Sequence, residues 1–256
     1  LYSKLLLNLK KNKLIKFEKK NSYKNLEKNN YKLIFNCDYN HPISKKFFYK
    51  KISKKYNGYA HVSTFKHKKI SNKKASQIFT KKGPLAFLPI SQTETSVVYS
   101  AQGKKDLDFN NLIKKYNFKY DIYKINKPIS FDLRSSNLRS YYYKNVIAFG
   151  DLLHRLHPLA GQGFNMTIRD IKKIHDLIKF KIEHGLDLDT SICIDFEKNT
   201  KDRNFIFSSG IDFIYEFFNT ENKLNTNTFS QSVKFLGKYK IINNFFTKFA
   251  DKGLVI

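Results

Sequence analysis

Residues 150–170 read GDLLHRLHPLAGQGFNMTIRD. They carry a carboxylate at Asp151, histidines at 154 and 157, three of the chain's 10 glycines and its 1 methionine. The apolar run VIAFG precedes them, so Asp151 is expected at the carboxyl end of a buried strand. That is the edge at which open α/β sheets bind ligands. Gly161 and Gly163 allow close backbone approach and left-handed dihedrals. The helix predicted to follow starts with unpaired N–H groups, which together with the helix dipole favour an anion. Beside them, the carboxylate can accept hydrogen bonds from hydroxyls. The pair suits a cofactor with a polyhydroxy chain and an electron-accepting ring. Spacing alone leaves the alternative of a glycine-rich turn that merely joins a strand to a helix.

Other chemistries find less support. GQGFNM lacks the third glycine of a dinucleotide fingerprint, and no other glycines in the chain supply G-x-G-x-x-G. His154 and His157 have no companion His, Cys or carboxylate at metal spacing, so no metal is expected. Cys37 and Cys193 are far apart and form no CxxC, which suits a reducing compartment.

Several elements must position the 150–170 stretch. LYSKLLLNLKKNKLIKF reads as a short amphipathic helix, with Leu5, Leu6 and Leu9, running into a strand. YKLIFNCD, 31–38, reads as a buried strand ending at Asp38, after which Pro42 breaks the chain. From 56 to 101 the pattern is strand-like: Tyr59, His61, Ser63 and Phe65 alternate with Ala60, Val62 and Thr64. Pro84 and Pro89 bracket Leu85–Leu88 and place that strand at a sheet edge or a ligand-lining bend. A helix is predicted over 105–116 and a strand over 118–131. NVIAFG, 145–150, is a buried strand. Over 164–185, Phe164, Ile168, Ile171, Ile174, Ile178 and Ile182 recur at helical spacing, and Gly185 suits the position past the helix end. Two further helices are expected over 189–219. The tail from Val233 is basic and amphipathic, with Phe235, Ile242, Phe245, Phe246 and Phe249; it reads either as an interfacial membrane contact or as a closing helix.

The formal charge is +27 at pH 7, with 48 basic against 21 acidic residues. A basic balance of this size suits nucleic acid or anionic lipid. The lysines are dispersed, however, and Lys, Asn, Ile, Phe and Tyr share A/T-rich codons. Interleaved runs such as KKFFYKKISKKY also alternate as a half-buried strand would. No nucleic-acid partner is expected. His61 and His67 are expected to be ordinary, partly exposed histidines. No apolar run approaches the length of a membrane span.

At this point the stretch resembles a known family. GDLLHRLHPLAGQGFNMTIRD is similar to the second flavin motif of class A flavoprotein aromatic hydroxylases, in the ubiquinone-biosynthesis branch. There the usual form is Gly-Asp-Ala-Ala-His, then His-Pro-x-Ala-Gly-Gln-Gly-x-Asn-x-Gly-x-x-Asp. KKASQIFTKKGPLAFLPISQTETSVVYS resembles that branch's substrate-domain segment, YKLIFNCD its strand ending in Ala-Asp-Gly, and FEKNTKDRN the helix after the flavin motif. The resemblance implies an α/β (α+β), glutathione-reductase-like FAD-binding fold without its N-terminal Rossmann βαβ, and a mostly antiparallel substrate sheet. It implies four regions: an FAD-domain remnant over 1–55, the substrate sheet over 56–131, the second flavin motif with its helix over 132–185, and a helical region over 186–256.

The implied activity takes electrons from NAD(P)H and uses O2 to hydroxylate a polyprenylated phenol. The implied cofactor-binding residues are Gly150, Asp151, Pro158, Gly161, Gln162, Gly163, Phe164 and Asn165. Asp151 would bond the ribityl or pyrophosphate region, and N–H groups near Gly163, Phe164 and Asn165 would face the flavin N1/C2=O edge. Gly83, Pro84, Leu85 and Ala86 would line the substrate. Implied partners are the phenol, other ubiquinone-biosynthesis proteins and a membrane surface touched peripherally, with a cytoplasmic location at the inner membrane. Four residues depart from the pattern. Tyr39 stands in place of Gly, where a tight turn disfavours it. Leu152 and Leu153 replace two Ala and are expected to add bulk beside the cofactor, and Thr167 replaces a helix Gly. These departures support a second reading, a non-catalytic subunit or decayed relic of the same family without tight FAD binding.

Overall fold

The computed structural model describes residues 2–18, 31–80, 82–103, 107–157 and 161–224, with single positions at 231, 239 and 244. The basic tail's five apolar positions lie outside the described residues. Helix α1, Tyr2–Lys11, has no buried residue. Its leucines therefore do not pack on a core, and residues 12–18 form no strand, contrary to expectation.

Strand β1, Ile34–Asn36, leads into α2, Pro42–Phe47. Pro42 starts this helix rather than breaking the chain: it sits at the first helical turn, where a missing N–H costs nothing. The His41 ring accepts from the Ile43 N–H and caps it. Then come β2 (Lys51–His67), β3 (Ser76–Thr80), β4 (Gly83–Pro89) and β5 (Glu94–Gln102). Helix α3, Phe109–Tyr116, begins at Asp108, whose carboxylate accepts from the Asn111 N–H at 3.0 Å.

The strand expected over 118–131 is two strands: β6, Ile122–Ile125, and β7, Ile129–Leu138, which runs past 131. Pro128 lies in the break and supplies no donor to a ladder. Next come β8 (Tyr142–Tyr143), β9 (Val146–Ala148), a 3-10 turn (Gly150–Leu152) and β10 (His154–Arg155). Helix α4 spans Gln162–Glu183 and α5 spans Thr190–Leu224. The expected pair of helices over 189–219 is thus one helix of 35 residues; it contains no proline, and Gly210 is accommodated within it.

Two sheets result. The small one has order β1-β9-β8, with β1 and β9 parallel and Asn36 opposite Ala148. The large one is antiparallel, with order β10-β7-β2-β5-β4-β3 and β6 paired to β2. The strand between the two prolines is therefore internal, and the edge is the short β3. Pro84 is second in β4 and Pro89 last, so the missing donors fall at the strand's ends.

Strand β2 serves two cores with opposite faces. Its first half buries Tyr56 and Ala60, which join Leu133 under Tyr215 of α5. Its second half buries Phe65, which joins Leu85, Phe87, Val97 and Tyr99 against Phe109 and Ile113 of α3. The exchange occurs beside a register shift between Lys55 and Tyr59. Gly58 is needed there, because a Cβ would stand 2.5 Å from the Ala101 carbonyl oxygen. A third core fills the small sheet: Val146, Ile147, Ala148 and Leu153 pack with Ile174 of α4 and Phe196 of α5.

Candidate functional site

The parallel pairing of β1 and β9 brings two acidic turns to one sheet edge. Asp38 follows β1, and Gly150–Asp151 follows β9. The Phe149 N–H donates to the Asn36 carbonyl at 3.0 Å, which holds the two exits together. In the first turn Asp38 Oδ1 accepts from the Asn40 N–H at 2.9 Å, and Ser44 Oγ donates to the Asp38 carbonyl at 2.6 Å. Tyr39 is accommodated without the expected strain: Lys144 is the one non-glycine with positive φ among the described residues.

The second turn needs its glycine, since Gly150 has φ +62°. Asp151 is exposed. Leu152 and Leu153 are buried with the small-sheet core, so their bulk goes inward rather than over a ligand. The turn packs against α4. That helix starts at Gly161, left-handed at φ 62° and ψ 18°, with no side chain capping it. Its first N–H groups are thus open to an anion. Among the described residues, a Cβ on Gly150, Gly161 or Gly163 would meet nothing within 4 Å, so these leave the space above all three open. The Thr167 hydroxyl turns back to the Gly163 carbonyl at 3.3 Å. Gln162 and Asn165 bond each other at 3.3 Å, and Phe164 is exposed. Pro158 lies outside the described residues.

Helix α4 packs only in part as its isoleucine stripe predicts: Ile174 is buried and Ile178 packs against the small-sheet core. Met166, Asp170 and Ile174 are its buried residues. Phe164, Ile168, Ile171 and Ile182 are 61%, 46%, 46% and 62% exposed. The buried face is set by α5 and β10, which meet α4 at a polar residue. His154 Nε2 bonds Asp170 Oδ2, and Asn204 Nδ2 of α5 donates to Asp170 Oδ1 at 3.1 Å. Sequence reasoning singled out none of these three for a role. The signal was available, because His154 and Asp170 stand where the family motif itself has His and Asp.

The four substrate-lining positions divide. Leu85 is fully buried on the α3 side of the sheet. Strand alternation turns Pro84 and Ala86 to the other face, with Ala86 opposite Val98 and Val98 opposite Val62. Gly83 has φ +139°, and a Cβ there would stand 2.0 Å from the Ser100 carbonyl oxygen. Its role is therefore close strand approach. His61 and His67 are buried rather than partly exposed, on the α3 side. His61 Nδ1 pairs with Ser130 Oγ at 2.8 Å, and His67 Nε2 with Thr95 Oγ1 at 3.0 Å.

Electrostatics favour anions near the paired turns. A cavity of about 280 Å³ is lined by Tyr39, Asn40, Lys45, Lys51 and Leu152, among others. Lys51 hydrogen-bonds the Tyr39 phenol, which holds its pKa below the ordinary value, with further help from Arg134 and Arg155. Across the large sheet, His157 packs edge-on to Tyr56 at 4.6 Å and lies 4.4 Å from the Tyr215 ring. Burial, reinforced by Lys54, pushes the His157 pKa down to about 4. Among the described residues no group of three or more His, Cys, Asp or Glu could hold a metal. None of their helices is long and apolar enough to cross a membrane.

The parallel-edge turns, the open helix start and the antiparallel sheet form a fold shared with solved FAD-dependent monooxygenases. The p-nitrophenol 4-monooxygenase PnpA of Pseudomonas putida has it too, with TM-score 0.69 at 11% identity, over 88% of this chain and 60% of that one. The curated proteins to which the chain is similar include several named for ubiquinone biosynthesis. The mitochondrial ubiquinone biosynthesis monooxygenase COQ6 of Schizosaccharomyces pombe is 24% identical over 126 residues, 49% of this chain and 26% of the relative. The 3-demethoxyubiquinol 3-hydroxylase of Escherichia coli is 26% identical over 149 residues, 54% of this chain and 38% of the relative. The matched region is thus about a quarter to two fifths of those proteins' length. No family model matches the chain.

Proposed function

We propose that this chain forms the flavin-ring and substrate-sheet portion of an FAD-dependent monooxygenase of ubiquinone biosynthesis. It would hydroxylate a polyprenylated phenol with NAD(P)H and O2. The observation that carries this reading is the open, glycine-edged start of α4 packed beside the turn that presents exposed Asp151. The open space over Gly150, Gly161 and Gly163 fits a flat, polyhydroxylated, anionic group lying close to backbone. Asp151 would accept from ribityl hydroxyls. The N–H groups of Gly163, Phe164 and Asn165 would stabilise negative charge on the ring edge. Gln162 and Pro158 complete the loop. Bound FAD supplies the electron transfer and oxygen activation, while the protein orients it and excludes water.

The substrate ring is assigned to the sheet face of Pro84 and Ala86, with Val62 and Val98 beside them. Regions 1–55 and 132–185 are assigned to the flavin side, 56–131 to the substrate sheet and 186–256 to the helical remainder. The charge of +27 supports contact with an anionic membrane, and a prenylated substrate calls for such a surface. The inner-membrane cytoplasmic face and a complex with other enzymes of the pathway belong to the same proposal. A non-catalytic subunit or relic is the second reading, favoured by Thr167 standing where the family pattern has a helix Gly.

Purified chain titrated with FAD separates the two. Saturable flavin absorbance and fluorescence quenching are expected, weakened in Asp151→Ala with the fold intact. Absence of binding overturns the monooxygenase reading, and unchanged binding in the variant overturns the role of that carboxylate.

A further inference from the structure

Behind the proposed flavin loop, side chains from several elements form one internal chain of hydrogen bonds. His154 comes from β10, Asp170 from α4 and Asn204 from α5. Tyr141, just before β8, extends the chain through its own bond to Asn204. His154, Asp170 and Tyr141 are each 1% exposed. A buried carboxylate is costly unless its oxygens are satisfied, and here both are. Apolar packing would allow α4 to slide or rotate slightly. A charge-assisted bond to a strand residue does not, because it is directional.

The location of this bond gives it reach. Asp170 lies seven residues past Gly163 on one helix, about 10 Å along the axis, a distance over which a helix is stiff. His154 lies three residues past Asp151, on a strand pinned to β7 opposite Asn137. One bond therefore ties the turn that presents Asp151 to the helix that presents Gly161 through Asn165. We infer that Asp170, acting through His154, is a positioning residue that sets the two halves of the proposed flavin site against each other. The ligand in this inference rests on the proposed function; the mechanical link does not.

The test uses the full chain as wild type, Asp170→Asn, His154→Gln, the double variant and Ser208→Ala. Ser208 accepts from Asn137 at 2.8 Å in the α5–sheet joint, so its loss loosens the same joint while leaving the His154–Asp170 bond itself in place. FAD titration should show Asp170→Asn weakened by about tenfold or more relative to Ser208→Ala, with the double variant no weaker than the worse single one. Hydrogen exchange, measured without flavin, should show residues 162–174 losing protection by about tenfold while β2 and β5 keep theirs. Equal loss of protection everywhere, or none in α4, overturns the inference whether or not FAD binds. If wild type binds FAD, unchanged affinity in Asp170→Asn also overturns it. If wild type binds none, the flavin reading fails and the exchange comparison alone decides the link.

Discussion

The Tyr56 phenol donates to the Asp212 carboxylate, bonding the first half of β2 to α5. Ser135 of β7 closes the triangle, 2.9 Å from the phenol and 3.1 Å from the carboxylate. Asn137–Ser208 and Lys54–Glu216, both at 2.8 Å, continue the same polar seam along the helix. Removing the acceptor leaves a buried phenol with one partner. Asp212→Ala should cost about 1–3 kcal/mol and Tyr56→Phe about 1 kcal/mol, read from urea midpoints. Burial first, then the Asp212 bond, pushes the Tyr56 pKa well above its ordinary value. Above about pH 10 the unfolded chain releases a proton that the folded chain keeps, so stability falls as pH rises. Tyr56→Phe should make that slope shallower, and Tyr99, Tyr141 and Tyr215, whose pKa values burial also raises, supply the remainder.

His157 makes the opposite prediction at acid pH. Its folded pKa is about 4 against an ordinary 6.5. Between those values the unfolded chain takes up a proton that the folded chain refuses. Stability is therefore full above pH 6.5 and is lost as pH falls toward 4, by up to about 3 kcal/mol. Urea unfolding of wild type and His157→Gln across this window checks it: the variant's midpoint should vary less with pH. Parallel curves would remove His157 as the source.

Gly161 and Gly163 should respond differently to substitution. Gly161→Ala places a Cβ at φ 62° and should cost about 1 kcal/mol of stability, because L residues disfavour that region. Gly163→Val has ordinary helical dihedrals and open space, so heat stability should change by under about 0.5 kcal/mol. Its branched side chain would occupy the space assigned to the flavin. FAD titration should therefore show lost binding in a variant that melts with wild type.

The chemistry-bearing stretch was the most legible part of the sequence. β9, the glycine turn and α4 all form where the apolar run, Gly150 and Gly161 place them, because local backbone requirements dictate them. What the sequence concealed was partnership. Periodicity identifies an apolar stripe on α4, but the burial of Met166, Asp170 and Ile174 depends on where α5 and β10 lie. Pro84 and Pro89 suggested an edge or a bend, whereas β4 is internal and keeps both prolines at its ends, where a missing donor is tolerated. His61 and His67 were expected to be partly exposed; they are buried, and Ser130 and Thr95 satisfy a ring nitrogen of each, partners that spacing does not reveal.

The change of face within β2 has a consequence for register. Its two halves bury residues of opposite parity, Tyr56 and Ala60 in one, Phe65 and His67 in the other. A slip of one residue along β5 or β7 would turn both rows toward solvent together, so no shifted pairing keeps either core. The strand thus acts as a two-sided key: its position is checked independently by α5 from one side and α3 from the other, and the Pro84–Ala86 face beside it inherits that fixed alignment.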